Sequence, residues 1–333
     1  MLKKSNLMLA CLLTLAMIPF GGDASPVNTL TPIPAAGERF ISLKDVADYY
    51  GFSMRVPPGR DIYLQNKPLS LRFEVDSRQC WYNGTLVWLH APVLKLRGRW
   101  VVTEADVRKV IDPLLRTSGY LALRGYHVVV LDPGHGGLDR GARGRHGVEE
   151  KRVVLDIAKR ARVHLANAGL KVYLTRETDR FIELGDRADQ FNGDVFVSIH
   201  LNSSTDPDPK GLETYVLASS GYPPTAAPPG PPKSGLIHPG NRFDGANTIL
   251  GYCLQKALLD KAKGEDRGIR RARFEVLREA QCPAALVECG FLSNSAEEQL
   301  MLSDKHREDI ALAIAKGILD YIASVKNARG VAP

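Results

Sequence analysis

The sequence lacks the features that mark several large classes of protein. Its cysteines number only five in 333 residues, and none forms the paired C-x-x-C of a structural zinc site. No basic tract of five or more residues occurs, which argues against nucleic acid as a partner. Glycine-rich turns are present, but none continues as Gly-Lys-Ser/Thr. At 134–139 the last glycine of a G-x-G-x-x-G pattern is replaced by Asp139, so neither nucleotide-binding loop is present. Beyond Phe20 no apolar run reaches the length of a membrane span. Tryptophan is scarce, and Trp81, Trp88 and Trp100 all fall in one stretch of the chain.

What is present begins with an export signature. Lys3 and Lys4 precede a short apolar run, Leu7 to Phe20, and small residues Gly22 and Ala24 stand before Ser25. That order reads as a secretory signal peptide over 1–24, with Cys11 inside it and the mature protein in the periplasm or extracellular cell wall. An oxidising compartment permits disulfides among Cys80, Cys253, Cys282 and Cys289. Buried thiols are an equal alternative, and spacing does not choose. The apolar fraction is 44% with well-mixed charge, so most of the chain should fold, with room for two domains. The net charge of +7 is consistent with simple solubility or with an anionic partner such as an acidic cell-wall polymer.

Composition divides the chain. Residues 25–38 are Pro-rich and read as an extended linker, and 39–123 as a small α+β module. Within the module "RFISLKDV" (39–46) is echoed by "RWVVTEADV" (99–107), each a short strand feeding a helix. Asn83-Gly84 between alternating segments signals a type I′ hairpin. The three tryptophans read as core, with stacking on sugar rings as the exposed alternative. From 124 to 327 the texture becomes that of an α/β domain with a largely parallel sheet flanked by helices. Strands are expected at His127–Asp132, Lys171–Arg176, Val195–His200, Leu212–Leu217 and Ala285–Glu288. Helices are expected at Glu150–Ala168, Glu183–Asn192, Ala246–Ala262 and from about Ala296 to Val325. The Pro/Gly-rich insertion 218–243 has no periodicity and reads as a floppy loop, with a long ordered loop beside the active site as the alternative.

In such sheets chemistry collects at the carboxyl ends of strands. His135 follows the apolar strand of "VVVLDPGHGG", and a lone histidine there would be unremarkable. His200 closes "VFVSIH" in the same way, and Glu288 closes "ALVE". Three strands ending in imidazole, imidazole and carboxylate point to one converging site. On a helical wheel Glu150 lies along Val154, Ile157 and Ala161, so it heads an inward stripe, whereas Glu149 is turned about 100° away toward solvent. Two histidines and a carboxylate, with a position left for water, form the donor set of a hydrolytic zinc site. A second carboxylate is then needed as general base, which leaves one glutamate as ligand and one as base. Asn202, just beyond His200, is a candidate substrate-binding residue. His146 lies in a basic loop, His127 starts its strand at the wrong end, and His90, His164, His238 and His306 read as surface or packing residues.

Together "VVVLDPGHGGLDRGARG…EEK", "VFVSIHLNSS", "GLETYVL" and "RFEVLREAQCPAALVECGFLSN" resemble the zinc-dependent N-acetylmuramoyl-L-alanine amidases of type 3, from about Tyr126 to Tyr321. The resemblance implies one zinc ion held by His135, Glu150 and His200, with Glu288 as catalytic glutamate. It also implies a sheet of about six strands and peptidoglycan as substrate. A protein activator is a second candidate partner. Some relatives carry a regulatory segment where 218–243 falls, and the Pro-rich composition argues against a blocking helix here. The module at 39–123 resembles the N-terminal-type module named after copper amine oxidases, without copper ligands. Holding the tryptophans but no proposed ligand, it is expected to serve wall attachment. The competing readings are a non-catalytic wall-binding protein and a zinc peptidase acting on stem peptides.

Overall fold

In the computed structural model, residues 30–121, 125–233 and 235–330 are described; the signal peptide, Cys11 and most of the linker's first half lie outside them. The first half of the described chain contains β1 (Ile33–Ala35), β2 (Glu38–Ser42), α1 (Leu43–Tyr49), β3 (Ser53–Arg55), β4 (Asp61–Gln65), β5 (Ser70–Glu74), β6 (Gln79–Tyr82), β7 (Thr85–Trp88), β8 (Leu94–Leu96) and β9 (Arg99–Thr103). Short helices α2 (Glu104–Asp106) and α3 (Asp112–Leu115) follow. The echoed segments are β2–α1 and β9–α2. In each, a hydroxyl caps the helix: Ser42 accepts from the amides of Lys44 and Asp45, and Thr103 from that of Asp106. The two strands pair antiparallel in a sheet ordered β1-β2-β9-β8. So part of the expected linker is strand β1. At the hairpin, Asn83 and Gly84 both take positive φ, as a type I′ turn requires.

The second half contains β10 (Val128–Pro133), α4 (Glu150–Asn167), β11 (Lys171–Leu174), α5 (Leu184–Asp189), β12 (Val195–Asn202), β13 (Leu212–Leu217), α6 (Asp244–Ala262), β14 (Asp266–Ala272), α7 (Glu275–Arg278), β15 (Ala284–Phe291), α8 (Ser295–Leu302) and α9 (Asp304–Gly330). Six strands in the order β11-β10-β12-β15-β13-β14 form its sheet. All neighbours are parallel except β13 with β15. Helices α4, α6 and α9 pack together on one face, and the shorter α5 and α7 lie on the other. Several elements differ from expectation. The short α7 was not foreseen, α5 ends early at Asp189, and β12 and β15 run past His200 and Glu288 to Asn202 and Phe291. The C-terminal helix is broken at Ser303, whose extended backbone ends α8. Strand β14 was missed because "DRGIRRA" reads as charged loop. It is a strand because it lies between β13 and β7, with Ile269 fully buried.

That β14–β7 pairing joins the halves. The sheet continues from β14 through β7, β6, β5 and β4 to β3, eleven strands in one ladder. Asp266 accepts from the amide of Leu86 at 2.8 Å, and the Trp88 indole donates to the carbonyl of Arg267 at 2.9 Å. The insertion is packed rather than floppy. Tyr222, Thr225 and Ser219 are buried, Thr225 exchanges bonds with the backbone of Arg271, and the buried Arg78 guanidinium donates to the carbonyls of Thr225 and Ala227. Among the described residues no disulfide forms: Cys80, Cys253, Cys282 and Cys289 are all buried thiols. The tryptophans are half-buried; Trp100 packs against the core whereas Trp81 and Trp88 do not, and each ring is covered by a cation: Trp81 by Arg72, Trp88 by Arg270 and Trp100 by Lys95.

Candidate active site

Strands β10, β12 and β15 run side by side in parallel and so deliver their carboxyl ends to one edge of the sheet. The glycines around His135 make room at that edge. A Cβ on Gly134 would lie 2.2 Å from Cε1 of His200, and one on Gly141 would lie 2.5 Å from Oε2 of Glu150. The backbone therefore passes against the imidazoles where any side chain would displace them. His135 itself holds φ = 61°, a conformation uncommon for a residue with a side chain. Two buried arginines support this turn. Arg176 donates to the carbonyls of Pro133 and Gly134 at 2.9 and 2.7 Å, and Arg187 to that of His135 at 2.9 Å. Sequence reasoning missed both, since arginines in "TRETDR" and "GDRAD" look like surface charge.

Glu150 is the first residue of α4 and is 2% exposed. Its Oε1 lies 3.1 Å from Nε2 of His135 and 3.0 Å from Nδ1 of His200, and it accepts from the amide of Leu201 at 2.9 Å. Oε2 accepts from the amide of Ala142 at 2.7 Å. Burial alone would raise this carboxyl, but hydrogen bonds from the two histidines outweigh it and hold it well below the usual carboxylate range. Burial likewise disfavours protonated His135, yet Glu150 and then Asp139 raise it above its ordinary value. Asp139 Oδ2 sits 2.8 Å from Nδ1 of His135, which leaves Nε2 facing Glu150. Asp139 was a missed residue whose signal was available four positions after the histidine.

One donor atom from each of His135, Glu150 and His200 lies within 4.8 Å of the others. Tetrahedral zinc, with bonds of roughly 2.0–2.1 Å, holds its ligand atoms about 3.4 Å apart. The 3.0–3.1 Å contacts to Glu150 fit that spacing, and Asp139 on the far nitrogen of His135 is the usual carboxylate support of a metal-binding imidazole. The cluster can hold a metal ion.

Glu288 lies beside His200 in the register of β15 with β12 and opposite Glu213 in that of β13. Its Oε2 is shielded from solvent and meets no hydrogen-bond partner among the described residues. Burial, then the charges of Glu150 and Glu213, push its carboxyl well above the ordinary value. The cations that would make Glu288 merely structural are elsewhere: Arg267 and Arg270 reach Glu213 at 3.1 and 3.0 Å. Asn202, the substrate-binding candidate, turns its amide to Glu213 as well.

The remaining candidates stay apart from the cluster. Glu149 is the N-cap of α4, in extended backbone outside the helix the wheel assumes; it is 15% exposed and pairs with Arg140 and Arg152 rather than standing in solvent. His146 is bound to the buried Glu298 at 2.8 Å, and His164 pairs with Glu308 at 2.6 Å. His90 is fully buried in the module.

Residues 129–320 match the family described as N-acetylmuramoyl-L-alanine amidase. The chain is 37% identical over 246 residues to N-acetylmuramoyl-L-alanine amidase AmiA of Escherichia coli K12, covering 63% of this chain and 83% of that protein. It is 36% identical over 228 residues to AmiC of Neisseria meningitidis, covering 61% of this chain and 54% of that one. Among solved structures, an N-acetylmuramoyl-L-alanine amidase from Clostridium difficile 630 superposes with a TM-score of 0.51 at 33% identity, covering 60% of this chain and 98% of its own.

Proposed function

Because the chain belongs to the N-acetylmuramoyl-L-alanine amidase family, we propose that His135, Glu150 and His200 bind one zinc ion and that Glu288 is the general base beside it. The protein is a peptidoglycan amidase, hydrolysing the amide between N-acetylmuramic acid and the L-alanine of the stem peptide. When bound, zinc supplies Lewis acidity, polarising the scissile carbonyl and lowering the pKa of water. The chain's own groups do the rest. His135, held by Asp139, and His200, held beside Glu150, would present ring nitrogens to the cation, and the buried Glu150 would contribute negative charge. Glu288 takes the proton of the attacking water on an oxygen that has no hydrogen-bond partner among the described residues and passes it to the departing amine nitrogen. A carboxyl whose surroundings raise its proton affinity suits both halves of that transfer.

The observation that carries this reading is the meeting of three strand ends, with one satisfied carboxylate among the imidazoles and one unsatisfied beside them. Its substrate lies outside the cytoplasm, so we place the mature protein in the periplasm or extracellular wall, delivered by the leader at 1–24. No helix of the described residues is long and apolar enough to cross a membrane. Chelation should remove the metal and abolish release of whole stem peptides from purified sacculi, and zinc should restore it. Undiminished release from a protein shown to be metal-free by elemental analysis would sink the zinc mechanism. Release of peptide fragments instead of whole stems would indicate a peptidase.

A further inference from the structure

The sheet that carries Glu288 continues far beyond the site, and one of its faces can be followed residue by residue. Glu213 is opposite Glu288, and two residues along β13, on the same face, Tyr215 is opposite Arg270 of β14. Ile269 is opposite Val87, which sets Arg270 beside Trp88, and its guanidinium lies 4.9 Å from the centre of the Trp88 ring. Across β7, β6, β5, β4 and β3 the next row reads Leu86, Trp81, Arg72, Tyr63, Arg55. In it Arg72 lies 3.5 Å over Trp81, and Arg55 lies 4.4 Å over Tyr63. The alternate residues Leu64, Leu71, Phe73, Cys80 and Tyr82 are all buried, so the row points outward from β6 to β3, while Leu86 at its β7 end is buried. Tyr63, Arg72, Trp81 and Trp88 are half-buried and Arg55 is exposed.

Large aromatics on an outward sheet face are not required by the core. A guanidinium stacked by its flat side on a ring keeps its N–H edge available to a carboxylate, and the ring edges between offer apolar surface to the C–H faces of sugars. The acidic groups of β4 and β5 on this face are engaged, Asp61 with Nη1 of Arg72 and Glu74 with Arg60, each at 3.4 Å, while Arg55 pairs with no carboxylate among the described residues. The chain as a whole carries +7. At about 4.8 Å per strand, the six steps from β15 to β4 carry the row about 29 Å away from Glu288.

We propose that the outward face of β3–β7, continued toward the site by Arg270, is a track for the polymer outside the scissile bond: a glycan strand with carboxylate-bearing stem peptides. The proposal rests on the amidase reading and adds the surface that would hold an uncut strand in line with the site. Continuity with the active site on one sheet face and the match of arginine to carboxylate single out this occupant.

The test uses the full chain with Tyr63→Ser, Arg72→Gln and Trp81→Thr combined, and Arg72→Glu alone. Cleavage is followed on intact sacculi and on a soluble disaccharide-peptide too short to reach β4. The combined variant should need about tenfold more sacculi for half-saturation, while kcat/KM on the soluble fragment stays at the wild-type value. Arg72→Glu, a single surface reversal, should melt like wild type and also bind sacculi more weakly. A stable Arg72→Glu protein that saturates on sacculi like wild type overturns the track and leaves the amidase reading standing. Failure of wild type to cleave the soluble fragment overturns the reading itself. A wild-type dimer that the variants dissociate, with sacculus binding unchanged, would assign the face to a second copy and also overturn the track.

Discussion

Glu288 and Glu213 face one another across two strands, yet their surroundings treat them oppositely. Glu213 is 1% exposed and receives Arg267, Arg270, Asn202 and the hydroxyl of Tyr215. Among the described residues Glu288 has none of these and keeps an unpartnered buried oxygen. Burial and the two neighbouring carboxylates raise the proton affinity of Glu288, which suits a group that takes and returns a proton. Glu288→Gln should therefore keep its metal and its melting temperature while turnover falls by about 100-fold or more, the scale of a lost acid–base group. Turnover, metal content and melting are measured on one preparation. A stable, metal-loaded Glu288→Gln protein with wild-type turnover would remove Glu288 from the mechanism.

At the scale of elements, the site is made by strand ends, and the glycines after β10 set how closely those ends approach. Gly134→Ala puts a methyl group 2.2 Å from a ring carbon of His200, and a close-packed neighbourhood leaves that ring nowhere to go without moving. Metal affinity should fall by about 10-fold or more, as when a support of a ligand is lost, and chelator competition reads it. Wild-type affinity in Gly134→Ala would show that the turn can yield. These strands were legible beforehand because apolar runs lead into His135, His200 and Glu288, but their ends were not: β12 runs on to Asn202 and β15 to Phe291. The wheel position of Glu150 was legible because Val154, Ile157 and Ala161 are buried with it. Strand β14 was not, since Ile269 is its one large apolar residue and its place depends on β7, far away in the chain. The stop at Ser303 was hidden by the apolar pattern on either side, although Ser-Asp is a usual helix-start signal.

At the scale of the whole molecule, the module is not hung on a linker but shares a sheet with the catalytic half, and the insertion locks the junction. This escaped the sequence because it depends on polar contacts between distant segments, and periodicity reports only which face of an element is apolar. The lock centres on His90, whose Nδ1 lies 2.8 Å from Asp106 and Nε2 3.1 Å from the hydroxyl of Ser219, with Tyr222 against its ring. Burial, and then the Arg271 guanidinium, hold His90 below its ordinary value, although Asp106 favours the proton. Between that lowered value and about 6.5, where an unfolded histidine titrates, the unfolded chain binds more protons than the folded one. The stability held by neutral His90 is thus complete above about pH 6.5 and is lost as pH falls through that window. Asp106 acts in the same direction at lower pH: burial would raise it, but bonds from His90 and Thr103 leave it below its ordinary value. Melting temperature should decline from pH 7 to pH 5 in wild type and decline less in His90→Gln, which cannot take up the proton. Because His146 and His164 are common to both proteins, the difference between the two slopes isolates His90. Parallel slopes would show that the lock does not sense protons.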